Sequence, residues 1–329
     1  MFKNPQLSSP EFRLLLITIL VFLSMAALSP DRFLSSQNLT SMAFQFPEFA
    51  ILALAMTITM MTGGIDLSVV GVANFSAVTA ALILTHFADP SMSGSQSLTW
   101  LALAIFAAVL VGCISGFING ILVSFFGLPA ILATLGSGLV FTGFAIAMTG
   151  GSAVMGFPDT VALIGNSQII GIPVPLIIFG VLATLLGLIL TRTAFGLRVT
   201  MYGANPLAAL YAAVNIDKML VKVYMLAGVF SSVSGLIVMS RANSAKADYG
   251  SSYLLLAVLI AVLGGINPYG GYGRVIGVVL AVLSMQFLSS GLNMLQVSNF
   301  AREFIWGALL ILVMVINTYS SRFSTNSGR

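Results

Sequence analysis

Apolar residues in this chain come in runs, and the runs recur at the length a lipid bilayer demands. A helix needs roughly 17–25 mostly apolar residues to cross the hydrocarbon core. Ten candidate spans can be marked, at about 12–30, 45–62, 66–87, 98–126, 129–150, 173–191, 219–240, 252–266, 275–296 and 300–318. The eighth is short enough to be broken. The fourth is long enough that it must tilt or protrude. Of the 329 residues 58% are hydrophobic and only 7% charged, against roughly a quarter charged in a soluble domain. A large soluble enzyme is thereby excluded. The expected fold is an all-α polytopic membrane protein of about ten transmembrane helices, with a single membrane domain over residues 1–329.

The first run has the look of a secretory leader: Lys3 and Arg13 precede an apolar core from Leu14 to Leu28, with Ser29-Pro30 behind it. We read it instead as a retained first membrane helix. Basic residues favour the cytoplasmic side. With the N-terminus inside, Lys3, Arg13, Arg192, Arg198, Lys218, Lys222, Arg274, Arg322 and Arg329 fall in the cytoplasm, and Arg32, Arg241, Lys246 and Arg302 outside. An even number of spans returns the C-terminus to the cytoplasm too. The net charge of +4 thus reflects topology and makes no case for nucleic acid. Cys113 is the single cysteine, so no disulfide framework exists. The lone His86 stands at an expected helix end and reads as interfacial rather than as a metal ligand or proton relay. Neither a metal nor a cofactor is expected.

Two connecting segments stand out by length. Residues 151–172 form an expected external, periplasmic loop with room for a short surface helix. Residues 192–218 form the longest cytoplasmic loop, and its second half is amphipathic. There Leu207, Leu210, Tyr211 and Val214 recur at helical spacing behind Asn205-Pro206. Asn at the cap and Pro at the first turn are good chemistry for starting a helix.

One acidic residue lies deep in apolar sequence. Between Phe49 and Thr85 the only charged side chain is Asp66, just behind Gly63-Gly64. The glycines supply the freedom for a tight reversal, and Asp66 then falls at the start of the next helix, where exposed backbone N–H groups welcome a carboxylate. A helix cap is the plain reading; an intramembrane cation site and a joint between moving helices are the sharper ones. The glycine-dense stretch 263–277, with Gly264 and Gly265 at its head, repeats the arrangement. It lacks the Lys-Ser or Lys-Thr of a phosphate loop and reads as a tight turn with close helix packing. Both turns run in the same sense across the membrane, so no inverted duplication is inferred.

Four stretches carry a family resemblance: "TGGIDLSVVG" (62–71), "GFINGILVSFFGLPAILATLG" (116–136), "RTAFGLRVTMYGANPLAALYAAVNI" (192–216) and "AVLGGINPYGGYGRVIGVVLAVL" (261–283). In this order, over nearly the whole chain, they resemble the permease subunits of bacterial ABC importers for ribose, xylose and autoinducer-2. The resemblance implies a permease of the bacterial inner membrane that carries a small sugar or sugar-like solute. Its implied partners are a second permease copy or paralogue, a cytoplasmic ATPase bound to the long inner loop, and a periplasmic solute-binding protein. A nucleoside importer is the alternative cargo reading. ATP hydrolysis would reside on the separate subunit, and none of the chain's own residues is catalytic.

Within that frame the coupling candidates are Arg192, Gly203, Asn205, Ala208 and Ala209, with Asn205 capping the short helix and the two alanines admitting a close partner. Gly63, Gly64, Asp66, Gly264 and Gly265 are the structural joints. Asn74, Phe75, Asn119, Gln286 and Asn293 are the candidate pathway residues, because a hydroxylated solute needs weak hydrogen-bonding groups and aromatic faces inside the bundle. Each of these amides has a rival explanation as an interhelical hydrogen bond. A stand-alone secondary carrier is the competing class. It commonly needs ionisable groups at mid-membrane, and as the spans are drawn every charged residue sits at a span end or in a loop.

Overall fold

The computed structural model describes residues 10–88 and 94–326; Lys3 and Arg329, counted in the charge bias, lie outside the described residues. In chain order the helices are α1 (Pro10–Leu28), α2 (Pro30–Phe33), α3 (Ser36–Met60), α4 (Val69–Phe87), α5 (Gly94–Ser124), α6 (Ala130–Thr149), α7 (Ala162–Gly165), α8 (Val174–Arg192), α9 (Ala194–Ala204), α10 (Pro206–Tyr211), α11 (Ile216–Ala242), α12 (Tyr253–Leu263), α13 (Val275–Met294) and α14 (Asn299–Asn326). Two short antiparallel ribbons complete the described fold. One pairs β1 (Val154–Met155) with β4 (Ser244–Ala245), the other β2 (Gln168–Ile169) with β3 (Ile172–Pro173). The protein is an all-α polytopic membrane protein, and among the described residues eight helices are long and apolar enough to cross a bilayer.

Each expected span finds a helix. The fourth becomes α5, 31 residues and about 46 Å at 1.5 Å per residue, well beyond a hydrocarbon core of about 30 Å. The eighth is indeed broken. α12 has only 11 residues, and the chain reaches its start through non-helical residues after β4. The tenth lies in α14.

α3 is the axis of the bundle. Of its apolar window 83% is buried, against 11% for α1, so the one is wrapped by protein and the other faces outward. Contact among the remaining helices relies on small residues, as in membranes generally. A Cβ added to Gly116 of α5 would stand 2.1 Å from the Tyr224 carbonyl of α11, so the two backbones touch there. At one end of the bundle Glu11, in the first turn of α1, pairs with Arg274 before α13 at 2.8 Å. That end also holds the turns after α3 and α12 together with α9 and α10. At the opposite end the loop over 151–172 is pinned to α11: Ser240 Oγ donates to the Val161 carbonyl and accepts from Gly165 N–H at 2.8 Å. The short surface helix expected there is α7.

Candidate functional site

The two glycine turns end their helices in the same way. After α3, Gly64 N–H donates to the Thr59 carbonyl and Gly63 N–H to that of Met60, with Gly63 at φ +80°. After α12, Ile266 N–H donates to Ala261 and Gly265 N–H to Val262, with Gly265 at φ +83°. Both are Schellman motifs, in which a left-handed residue lets the last carbonyls be satisfied. Gly64 and Gly264 serve packing instead. A Cβ on Gly64 would meet Tyr224 Oη at 2.6 Å, and one on Gly264 the Val278 backbone at 2.7 Å.

The turn after α3 meets the far part of the α12–α13 connection, where Tyr269 and Gly270 lie against Gly63. Gly271 N–H donates to the Met61 carbonyl at 3.0 Å. Gly203, in the last turn of α9, lies against both: an added Cβ would fall 2.0 Å from the Met61 oxygen and 2.4 Å from Gly271 N. Three backbones therefore join without an intervening side chain, and a movement of α9 bears directly on the end of α3 and on the connection between α12 and α13.

Residues 192–218 are more helical than the sequence suggested. Thr193 Oγ1 accepts from Gly196 N–H and opens α9, a cap whose side chain was legible but overlooked. Asn205 caps α10 as expected, accepting from Ala208 N–H at 3.1 Å, with Pro206 in the first turn. Leu207, Leu210 and Tyr211 are exposed, Tyr211 by 87%, and Ala208 is exposed beside them. Ala209 is fully buried, so its small size answers to this chain's own packing. Arg192 is exposed in the last turn of α8, where a cation suits the helix dipole.

Asp66 is buried, at 2% exposure. Its Oδ1 accepts from Ser68 N–H at 2.9 Å and Ser68 Oγ at 2.6 Å. It therefore braces the connection ahead of α4, whose N-cap position is Ser68 itself. Burial pushes its carboxyl above the usual range, and the Ser68 hydrogen bonds pull it back. Asn119 joins the same chain, its Nδ2 donating to Ser68 Oγ at 2.7 Å. Among the described residues no cluster suited to a metal ion occurs.

The remaining pathway candidates separate. Asn74 Nδ2 donates to the carbonyls of Ala247 at 2.9 Å and Tyr249 at 2.8 Å. It thus satisfies the non-helical backbone leading into α12, which hydrocarbon would leave unpaired. Phe75 stacks on Phe141 and Phe144 of α6, with centroids 6.2 and 5.9 Å away. Asn293 is exposed near the end of α13. Gln286 alone of the five lines a cavity, with a volume of about 420 Å³.

That cavity also holds the residue that span counting misplaced. Drawn from hydropathy, the second span began at 45 and left Glu48 at its edge. In the structure Ser35 caps α3, the helix starts at Ser36, and Glu48 stands halfway along it, 7% exposed. Its carboxylate pairs with Arg241 and accepts from Tyr253 Oη at 3.0 Å. The statement that every charge lies at a span end is therefore corrected. The signal was available: one acid four residues inside an apolar run is costly unless paired.

A helix bundle with a buried axis, a broken span and short peripheral helices tied to its turns is the architecture of a membrane transport subunit. Comparison with known proteins agrees, for residues 38–314 match the family described as "Branched-chain amino acid transport system / permease component". The chain belongs to that family. It is 33% identical over 311 residues to the autoinducer 2 import system permease protein LsrD of Enterobacter sp. (strain 638), covering 93% of this chain and 91% of the relative. LsrD of Klebsiella pneumoniae is 32% identical, with 93% and 90% covered, and LsrD of Yersinia pestis (strain Pestoides F) 33%, with 92% and 88% covered. No solved structure matches. The protein is thus a multi-pass permease subunit of the inner membrane, a transport component rather than an enzyme.

Proposed function

We propose that this chain forms the passage of an ATP-driven importer for a small sugar-like solute, with autoinducer 2 as the favoured cargo and pentoses or deoxyhexoses next. The likeness to the autoinducer 2 permeases supports the cargo. The termini, α9 and α10 face the cytoplasm, as the basic residues suggest. The external loop faces a solute-binding protein, and a second permease copy or paralogue completes the passage.

The observation that carries the mechanism is the contact of Gly203 with Met61 and Gly271. Exposed Leu207, Leu210 and Tyr211 offer α10 to an ATPase groove. The force received there passes through α9 into the end of α3 and the connection between α12 and α13. Copurification with the neighbouring ATPase tests this: hydrolysis should rise on assembly, and Leu207→Glu with Tyr211→Glu should abolish uptake while membrane insertion is kept. Vesicles holding this chain alone that accumulate solute uphill without ATP would overturn it. The ion-coupled alternative needs a free mid-membrane carboxylate, whereas Glu48 is held by Arg241 and Tyr253.

A further inference from the structure

We infer that the cavity between α3, α11, α12, α13 and α14 is a binding site, lined by residues of this one chain, for a small uncharged polyhydroxylated solute; this rests on the sugar-like cargo proposed above. The volume of about 420 Å³ lies within the roughly 300–1,000 Å³ of small-molecule pockets. It lies toward the end of the bundle that holds Ser240: Arg241 is in the last turn of α11, Ser252 and Tyr253 open α12, and Glu48 stands halfway along α3.

The lining chooses the ligand class. Glu48 and Arg241 cancel one another, and Arg302 and Glu303 at the wall add one charge of each sign. No net field favours an anion or a cation. What is offered is hydrogen bonding beside aromatic faces, from Gln286 and Ser289 on one side and Tyr253 and Trp306 on the other. Trp306 is more than nine-tenths buried, yet its indole Nε1 has no partner among the described residues. A buried donor left unmet is destabilising, so the indole N–H favours a ligand that accepts from it. A ligand hydroxyl can accept from it and donate in turn to Glu48 or Gln286, whereas an apolar ligand leaves the indole N–H unpaired.

The site also has an approach. Gln37, Ser41, Gln45 and Glu48 follow one another at helical spacing on α3, with Gln45 Nε2 donating to Ser41 Oγ at 2.8 Å. A second cavity, of about 580 Å³, lies against Gln37 and Ser41 at the far end of α3. Arg241 lines both cavities. Its ion pair with Glu48 therefore stands where the approach enters the site.

The chain contains two tryptophans, so Trp100→Phe leaves Trp306 as the reporter. In the full chain in lipid nanodiscs, D-ribose and autoinducer 2 are titrated against its emission, with sodium chloride as control. A saturable change with either solute is expected, weakened by about tenfold in Gln286→Ala, the loss of one good hydrogen bond. Transport KM in the assembled complex should rise in parallel, in Gln286→Ala and in the near-isosteric Glu48→Gln. Flat Trp306 emission, or wild-type KM in both variants, overturns the site and leaves the permease reading standing. Failure of the wild-type complex to transport either solute overturns the cargo reading instead, and the Trp306 titration then decides the site by itself.

Discussion

The Met61 carbonyl receives the Gly271 N–H at 3.0 Å, and Gly203 closes over that bond with no room for a methyl group. Three loops that share no sequence neighbourhood thereby become one mechanical part. Gly203→Ala should lower thermal stability by about 1–3 kcal/mol through overpacking, and should cost more in uptake than in assembly. Melting in detergent and transport by the reconstituted complex separate the two effects. Unchanged coupling in a folded Gly203→Ala protein would remove the junction from the mechanism.

Asn74 should prove structural. Asn74→Ala leaves the Ala247 and Tyr249 carbonyls without their donor, at a cost between about 0.6 kcal/mol for a membrane hydrogen bond and about 3 kcal/mol for a buried unmet group. Asn74→Asp should be worse, because it sets a carboxylate against two carbonyls. Resistance to denaturant is the measurement, with the order wild type, Ala, Asp expected.

Asp66 gives a pH dependence of definite sign. A carboxyl raised by burial binds its proton more tightly when folded than when unfolded. Stability should fall as pH rises from the ordinary carboxylate range through the folded value, and stay lower above it. Asp66→Asn keeps an oxygen for the Ser68 donors and removes the ionisation. It should flatten that slope and leave uptake near normal, whereas Asp66→Ala should lose stability at every pH. Thermal melts across an acid-to-neutral series check both.

Asn205→Ala removes the acceptor for Ala208 N–H and should weaken α10 by about 1 kcal/mol. α10 has six residues and no span depends on it, so membrane insertion should be unaffected. The loss should appear in ATPase stimulation by the assembled complex.

Much of this was legible beforehand. Apolar run lengths located the helices because lipid imposes them, and Gly63 and Gly265 announced reversals because only their φ values close a helix that way. The Asn205-Pro206 start was read for the same local reason. What escaped was set by tertiary surroundings. Hydropathy drew the second span nine residues late, at 45 rather than at Ser36, because Gln37, Ser41 and Gln45 set a polar, largely exposed stripe along the first half of the helix. Asn74 looked like a pathway group until the broken segment it serves, far off in sequence, was placed beside it. Ala209 invited a partner on paper and is buried in fact.

α3 is unbroken from Glu48 to Met60, about 18 Å at 1.5 Å per residue, and Pro47 just above takes one hydrogen bond out of the ladder. With protein on every side, that length behaves as a pushrod in a sleeve. On the coupling proposed above, a push at its glycine foot would reach the Glu48 carboxylate, and the turn loosened by Pro47 would take up the remainder. The buried half of one helix would then link the inner turns to the cavity, and lipid has no grip on the shaft between them.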